Sequence, residues 1–251
     1  MTLTPSGTTL DSGGGSGSGA VSSVFTRTGA VVAVANDYFN VQGRRSTLSA
    51  PGDSGTLQVH GDNFSVTGST SFGNPTSTLG IGWASFSGST NVPSGFQGLF
   101  NYRVGRNIRA QIIAGPAGKI TDERYWFGLT DRSIAQQGGS DNPASGIYAM
   151  FRFSTAASDT HWQCITKDGT TQTIVDSGIT PAINTMVVFA IVFDDSAPNV
   201  KFYINGVLVA TITTHLPTSG TNLAIEGTNT CFTSTTSNGF WFSQATMITD
   251  F

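Results

Sequence analysis

Charge is scarce in this sequence: of 251 residues only 11% are Asp, Glu, Lys or Arg, with 12 basic against 15 acidic and a net charge of -3. Such a surface offers no electrostatic attraction to a phosphate backbone or an anionic membrane, and nucleic acid is not an expected partner. No 18-residue apolar run occurs, and the opening MTLTPSGTTL has neither a basic n-region nor an apolar h-region. The reading is a product made soluble in the cytoplasm, without membrane insertion. There are two cysteines, Cys164 and Cys231, each inside a strand-like run (HWQCIT, TNTCFTS). Their number allows one bridge, and buried free thiols are the plainer reading. Catalytic signatures are absent as well: no nucleophile elbow, no P-loop, no dinucleotide fingerprint and no H-E-x-x-H. His60, His161 and His215 stand alone, without the spacing of a metal site. The sequence therefore predicts no cofactor, no metal and no enzyme.

What is present is Gly, Ser, Thr and Asn, together with 38% hydrophobic residues, enough for a real core. That mixture suits strands and turns and argues against helices. Composition divides the chain in three. Residues 1–23 hold almost nothing apolar, cannot order themselves, and read as an anchoring arm rich in Gly and Ser. Residues 24–78 are short alternating pieces: VFTRTGAVVAV reads as two strand halves around a turn at Thr28 and Gly29, and TLQVHGDNFSVTGSTSF alternates Leu57, Val59, Phe64, Val66 and Phe72 with polar residues. From 79 to 251 the strands lengthen and carry aromatics, as in RYWFGLT, GIYAMFRFS and MVVFAIVFDD, which predicts an all-β sandwich.

The sharpest local signal is VKFYINGVLVATI. Val200, Phe202 and Ile204 alternate toward one face, Asn205-Gly206 is a type I′ turn, and Val207, Val209 and Thr211 continue on the return strand. With FRFST before it and a Lys-Asp-Gly turn between, this order resembles the concanavalin A-like (jelly-roll, laminin-G-like) domains of phage virion proteins. The resemblance covers roughly 79–251 and implies a concanavalin-like jelly roll preceded by the arm and short β-stem strands. Farther upstream, the Gly/Ser run followed by AVSSVFTRTGAVVAVANDY resembles the segment of phage tail-fibre proteins in which a glycine-rich arm leads to VxSVFGRTGAVxAxxxDY, with Thr26 in place of the usual glycine. DNFSVTGSTSFGN is similar to repeated pieces of fibre stems.

The resemblance implies a virion protein attached through residues 1–23 to other virion proteins. Short strands that close no core alone can do so around an axis, so Val59, Phe64, Val66 and Phe72 are expected to hold a homotrimer. The competing reading makes residues 24–78 extra strands on the sandwich of the same monomer. The function expected is a fibre displaying its sandwich to a host-surface glycan; a capsid or tail decoration protein is the alternative.

A sugar site needs an exposed aromatic flanked by amides and hydroxyls. Trp162 with His161 and Gln163 fits best by composition, with Trp126 and Trp241 behind. Against it, strand alternation sets Trp162 and Cys164 on one face, and cysteine prefers the interior. Glycoside hydrolysis, a remote alternative, needs two carboxylates about 5 to 9 Å apart. The chain has two glutamates, Glu123 and Glu226, about a hundred residues apart in sequence. Asp131, Asp141, Asp159 and Asp168 are read as solvated loop carboxylates, since no spacing among them fixes a calcium ion.

Overall fold

The computed structural model describes residues 90–133, 139–233 and 239–250, with the strand segments 23–24, 27–28, 43–49, 58–60, 64–73 and 83–87. The chain divides into two units, Met1–Val41 and Gln42–Phe251. In the first unit, β1 (Ser23–Val24) pairs with β2 (Arg27–Thr28), Val24 opposite Arg27. The pairing thus closes between Val24 and Arg27, upstream of the expected turn at Thr28 and Gly29.

In the second unit the strands are β3 (Gly43–Ser49), β4 (Gln58–His60), β5 (Phe64–Thr67), β6 (Ser69–Gly73), β7 (Trp83–Ser87), β8 (Ser94–Gly98) and β9 (Tyr102–Arg103). They continue with β10 (Arg109–Pro116), β11 (Glu123–Thr130), β12 (Ile147–Ser154), β13 (Gln163–Asp168), β14 (Gln172–Asp176) and β15 (Val187–Asp194). The last four are β16 (Asn199–Ile204), β17 (Val207–Ile212), β18 (Asn222–Cys231) and β19 (Gly239–Asp250). No helix occurs among the described residues. Sheet I has nine strands in the order β17-β16-β15-β10-β19-β3-β4, with β7 also on β19 and β6 on β7. Sheet II has eight, ordered β14-β13-β12-β11-β18-β8-β5, with β9 on β18. The fold is the all-β sandwich that the sequence predicts.

Aromatics fill the space between the sheets. Phe127 of sheet II stacks on Phe189 of sheet I at 5.2 Å, Trp162 meets Phe189 edge-on at 4.8 Å, and Phe151 meets Phe202 at 5.2 Å. Both cysteines are free and buried, and burial pushes the Cys164 thiol up to about 12, which leaves it unreactive.

The segment expected to be a separate stem is divided differently. β3 lies along β19, with Leu48 opposite Ala245 and buried in the core, and β5 pairs with β8. Phe64 packs half-buried against that core, while Val66 is 44% exposed; Val59 falls in β4 and Phe72 in β6. Phe64 therefore packs against the core of its own chain. Strands β3 to β6 are members of the sandwich sheets.

The β16–β17 hairpin turns as predicted, with Asn205 and Gly206 both at positive φ, 50° and 80°. Its return strand departs from expectation. A bulge between Phe202 and Tyr203 shifts the register, so that Ala210 and Ile212 face the core and Val207 is 65% exposed.

Candidate functional site

Strand β11, ERYWFGLT, lies in the middle of sheet II and is buried along its whole length. Tyr125, Phe127 and Leu129 point into the main core, so alternation sends Arg124, Trp126, Gly128 and Thr130 to the outer face. Cross-strand register arranges that outer face in rows. One runs Thr228, Trp126, Arg152, Gln163, Asp176; the next runs Gln97, Glu226, Gly128, Met150, Ile165, Ile174; a third runs Ala224, Thr130, Tyr148, Lys167, Gln172. Trp126, Tyr148, Met150 and Ile165 form a hydrophobic cluster of their own, apart from the inter-sheet core. Gly128 interrupts the middle row by necessity: an added Cβ would come within 2.5 Å of the Ala149 carbonyl oxygen and 2.7 Å of the Met150 Cα.

Buried polar side chains surround this cluster, and the loops after β11 and β12 engage several of them. Arg124 donates twice to Asp141, at 2.6 and 2.9 Å, and Arg152 donates twice to Asp159, each at 2.9 Å. Arg152 also donates to the Asp141 carbonyl at 2.8 Å. The Lys167 ammonium donates to Asn142 Oδ1 at 2.8 Å and to the Pro143 carbonyl, and Gln97 donates to the Arg132 carbonyl. Residues 131–133 and 139–146, between β11 and β12, are thereby fastened across the face from β8 to β13. Burial works against the Asp141 carboxylate, yet hydrogen bonds led by Arg124 outweigh it and hold the group below its ordinary value. Burial also lowers Lys167.

Two of the four aspartates read as solvated are thus ion-paired with buried arginines. Asp131 accepts from the Ile147 N–H at 2.8 Å, and Asp168 caps its turn through Thr170 and Thr171. No group of three metal-ligating side chains occurs among the described residues.

The two glutamates occupy opposite faces of sheet II. Glu226 lies opposite Gly128 on the outer face, and Glu123 lies opposite Cys231, five positions along β11 and so on the inner face. Burial pushes Glu226 well above the ordinary carboxylate range, against the hydrogen bond that Gln97 Nε2 donates to its Oε2 at 2.6 Å. Burial raises Glu123 to about 7 against the opposing hydrogen bond from Asn229, which donates at 3.2 Å. Three buried polar atoms of the outer face, Trp126 Nε1, Glu226 Oε1 and Thr228 Oγ1, have no hydrogen-bond partner among the described residues.

The sugar-stacking expectation for Trp162 is corrected. Alternation turns its ring inward, where Tyr125, Phe127, Phe153 and Phe189 surround it and no face is open. Gln163 is buried and donates to the His161 carbonyl at 3.0 Å. His161 stays partly exposed, its Nδ1 3.0 Å from Asp176 Oδ2. Trp126 is buried too, and half-buried Trp241 donates to Asn184 Oδ1 at 3.0 Å. Exposure returns at the β14 edge, where Ile174 is 47% exposed beside Asp176 and Gln172, which accepts from the Tyr148 hydroxyl at 2.6 Å. Sequence reasoning missed this rim because an isolated isoleucine in a polar edge strand carries no signal of its own.

The family model of the concanavalin A-like lectin/glucanases superfamily matches residues 119–240. Among solved structures the chain is similar to the Emp47p carbohydrate recognition domain, with TM-score 0.58 and 9% identity over 82% of this chain and 95% of that one. It is also similar to a protein of unknown function from Shewanella oneidensis MR-1, with TM-score 0.60 and 11% identity over 83% of this chain and 87% of the other. A third is the Bacillus licheniformis β-glucanase, with TM-score 0.51 and 15% identity over 80% and 97%. No curated protein matches the sequence. These likenesses show a concanavalin A-like jelly-roll fold.

Proposed function

We propose that this jelly roll is a non-catalytic recognition module for host-surface carbohydrate, carried on a phage particle and tethered by the Gly/Ser-rich arm of residues 1–23. The observation that carries the reading is the placement of Glu123 and Glu226 on opposite faces of one sheet. A glycosidase flanks one bond with two carboxylates, and these two cannot converge on the same substrate. Asp141 and Asp159, two further carboxylates reaching the outer face, are each engaged by an arginine in a two-point contact. Carbohydrate as the ligand is supported by the company of the fold, which includes a carbohydrate recognition domain. The virion setting rests on the resemblance of residues 19–39 and the hairpin region to phage proteins. At the β14 rim, Ile174 offers an apolar surface to a sugar ring, with Asp176 and Gln172 beside it to accept from hydroxyls.

Retention of the purified full chain on polysaccharides from bacterial envelopes, with reducing ends assayed in the same samples, tests this. Saturable retention without release is expected, weakened at least fivefold by Ile174→Ser. Release of reducing ends that disappears in Glu226→Gln would make the protein a hydrolase. Absence of retention, with hundreds of copies per particle, would favour capsid or tail decoration. Three copies per fibre belong to the same proposal: light scattering of the full chain gives a trimer mass if it holds and a monomer mass if it fails.

A further inference from the structure

At one end of the sandwich, three segments meet around a cleft of about 210 Å³. They are Val104 after β9, the turn from Asp194 to Asn199 between β15 and β16, and the loop of Leu216 to Ser219 after β17. Backbone bonds fix two of them together: the Val104 N–H donates to the Thr221 carbonyl and the Gly220 N–H to the Val104 carbonyl, each at 2.9 Å. The turn is pinned from the other side, because Asp195 Oδ2 accepts from the Asn107 N–H while the Asp195 N–H donates to Asn107 Oδ1 at 3.3 Å. The cleft is therefore built into the fold.

Its chemistry has two parts. Phe193, Val200 and Val104 make a buried apolar floor, and Pro198, Leu216 and Pro217 make apolar walls. Against this stand acceptors with spare capacity. Asn199 Oδ1 is buried and has no hydrogen-bond partner among the described residues, its amide nitrogen being spent on the Ala197 carbonyl. Asp195 has its second carboxylate oxygen free of any hydrogen bond among the described residues. Asp194 is already occupied, accepting from Ser196 Oγ at 2.7 Å, from the Ala197 N–H at 3.2 Å and from Lys201 at 3.2 Å. A buried carbonyl oxygen without a donor costs free energy unless something supplies one.

We infer that this cleft is a saccharide subsite, taking one neutral pyranose unit whose hydroxyls donate to Asn199 and Asp195 and whose C–H face rests on Leu216 and Pro217. The ligand must bring donors, which excludes anions beside two carboxylates. It must also bring apolar surface, which excludes a hydrated metal ion. A cleft of about 210 Å³ lies below the ~300–1,000 Å³ of drug-sized sites, so a single ring is the largest unit it holds. This deepens the proposed function and rests on it, adding a second contact point beyond the β14 rim, to which the loop before Leu216 is bonded through Thr173 and His215 at 2.8 Å.

Amide shift mapping of the full chain with glucose, galactose, mannose and N-acetylglucosamine in turn tests the inference. At least one sugar is expected to move the signals of Asn199, Val200 and Leu216–Ser219. Asn199→Leu, which fills the cleft and removes the acceptor, and Ser219→Trp, which closes the mouth from an exposed position, should each weaken that sugar tenfold or more. Because Ser219 lies on an open loop, the second variant stands even if the first folds poorly. Shifts confined to Gln172–Asp176, or unchanged affinity in Ser219→Trp, would overturn the cleft while leaving carbohydrate recognition in place. No shift with any sugar, but retention on polysaccharide equal in wild type and Ser219→Trp, would do the same. Loss of both shifts and retention in the wild type would overturn the two readings together.

Discussion

The outer face of sheet II carries Arg152 and Lys167 in full burial, whereas the outer face of sheet I leaves Lys201, Val188 and Val192 half open. The text of the strands points the other way. VVFAIVFD, strand β15, is a nearly unbroken apolar run, yet every second residue is partly exposed; IYAMFRFS, strand β12, contains an arginine and is buried almost throughout. What separates them is a loop. Residues between β11 and β12 are bonded across sheet II, and no segment among the described residues is bonded in that way across sheet I. Burial of an outer face is set by what crosses it, so a polar side chain there can be fully satisfied and an apolar one can remain wet.

Aromatic truncation should break this contrast most. Trp126→Ala on the covered face is expected to cost about 3 to 5 kcal/mol, like a core substitution and like Trp162→Ala in the true core. Tyr203→Ala on the open face should cost far less, since its ring has solvent on one side. Urea denaturation of the three variants decides it, and a Trp126→Ala cost near that of Tyr203→Ala would mean that the cover contributes little.

Charge removal sharpens the same comparison. Arg152→Ala leaves Asp159 buried without its partner, and breaking such a pair costs about 3 to 5 kcal/mol. Lys201→Ala removes the partner of Asp194 at 3.2 Å on the open face, where both groups are about a third exposed, and should cost about 1 kcal/mol or less. Equal melting temperatures for the two variants would contradict the burial assigned to Arg152.

These pairs also show how far the sequence could be read. The sandwich, the Asn205-Gly206 hairpin and the inward position of Trp162 with Cys164 follow from period-two alternation and turn chemistry, which act within a few residues. The bulge that exposes Val207 does not, because one inserted register step leaves the same letters in the same order. Membership of β3 and β5 in the sheets was hidden for another reason: GRRSTLS and FSVT are too short and polar to announce a central neighbour, and only pairing with β19 and β8 reveals it. The placement of Glu123 and Glu226 on opposite faces needed the register between β11 and β18, a long-range fact. The rim at Ile174 and the end cleft are products of loop geometry, on which the sequence is silent.

Titration makes a subtler distinction, between carboxyls kept neutral and carboxylates kept charged. Glu226 on the covered face and Glu123 on the inner face have folded values raised above the ordinary one, the latter to about 7. The unfolded chain then binds fewer protons than the folded one above pH ~4.5, so stability falls as pH rises from there through about 7 for Glu123, and farther for Glu226. Asp194 on the open side is held at about 2, chiefly by the Ser196 hydroxyl, and its contribution is lost as pH falls from ~3.8 through about 2. Chemical denaturation at several pH values should show a maximum near pH 4 to 5 for these groups together. Glu123→Gln should flatten the decline between pH ~5 and 7, and an unchanged slope would mean that Glu123 ionises normally.

The smallest effect is the most discriminating, because it introduces the same hydroxyl on both faces. Ile165→Thr places a hydroxyl in the buried cluster of Trp126, Tyr148 and Met150, away from water, and also removes a methyl group; about 2 to 3 kcal/mol is expected. Val192→Thr puts the same hydroxyl on the open face, between Arg109 and Lys201 in neighbouring strands, at a half-exposed position where water satisfies it. Threonine keeps the β-branched shape that the strand favours, so the change should stay within about 0.5 kcal/mol of zero. Thermal melts of the two variants side by side measure the difference directly. If Val192→Thr proves as costly as Ile165→Thr, the outer face of sheet I is covered in solution, and a second molecule or another part of this chain must be what covers it.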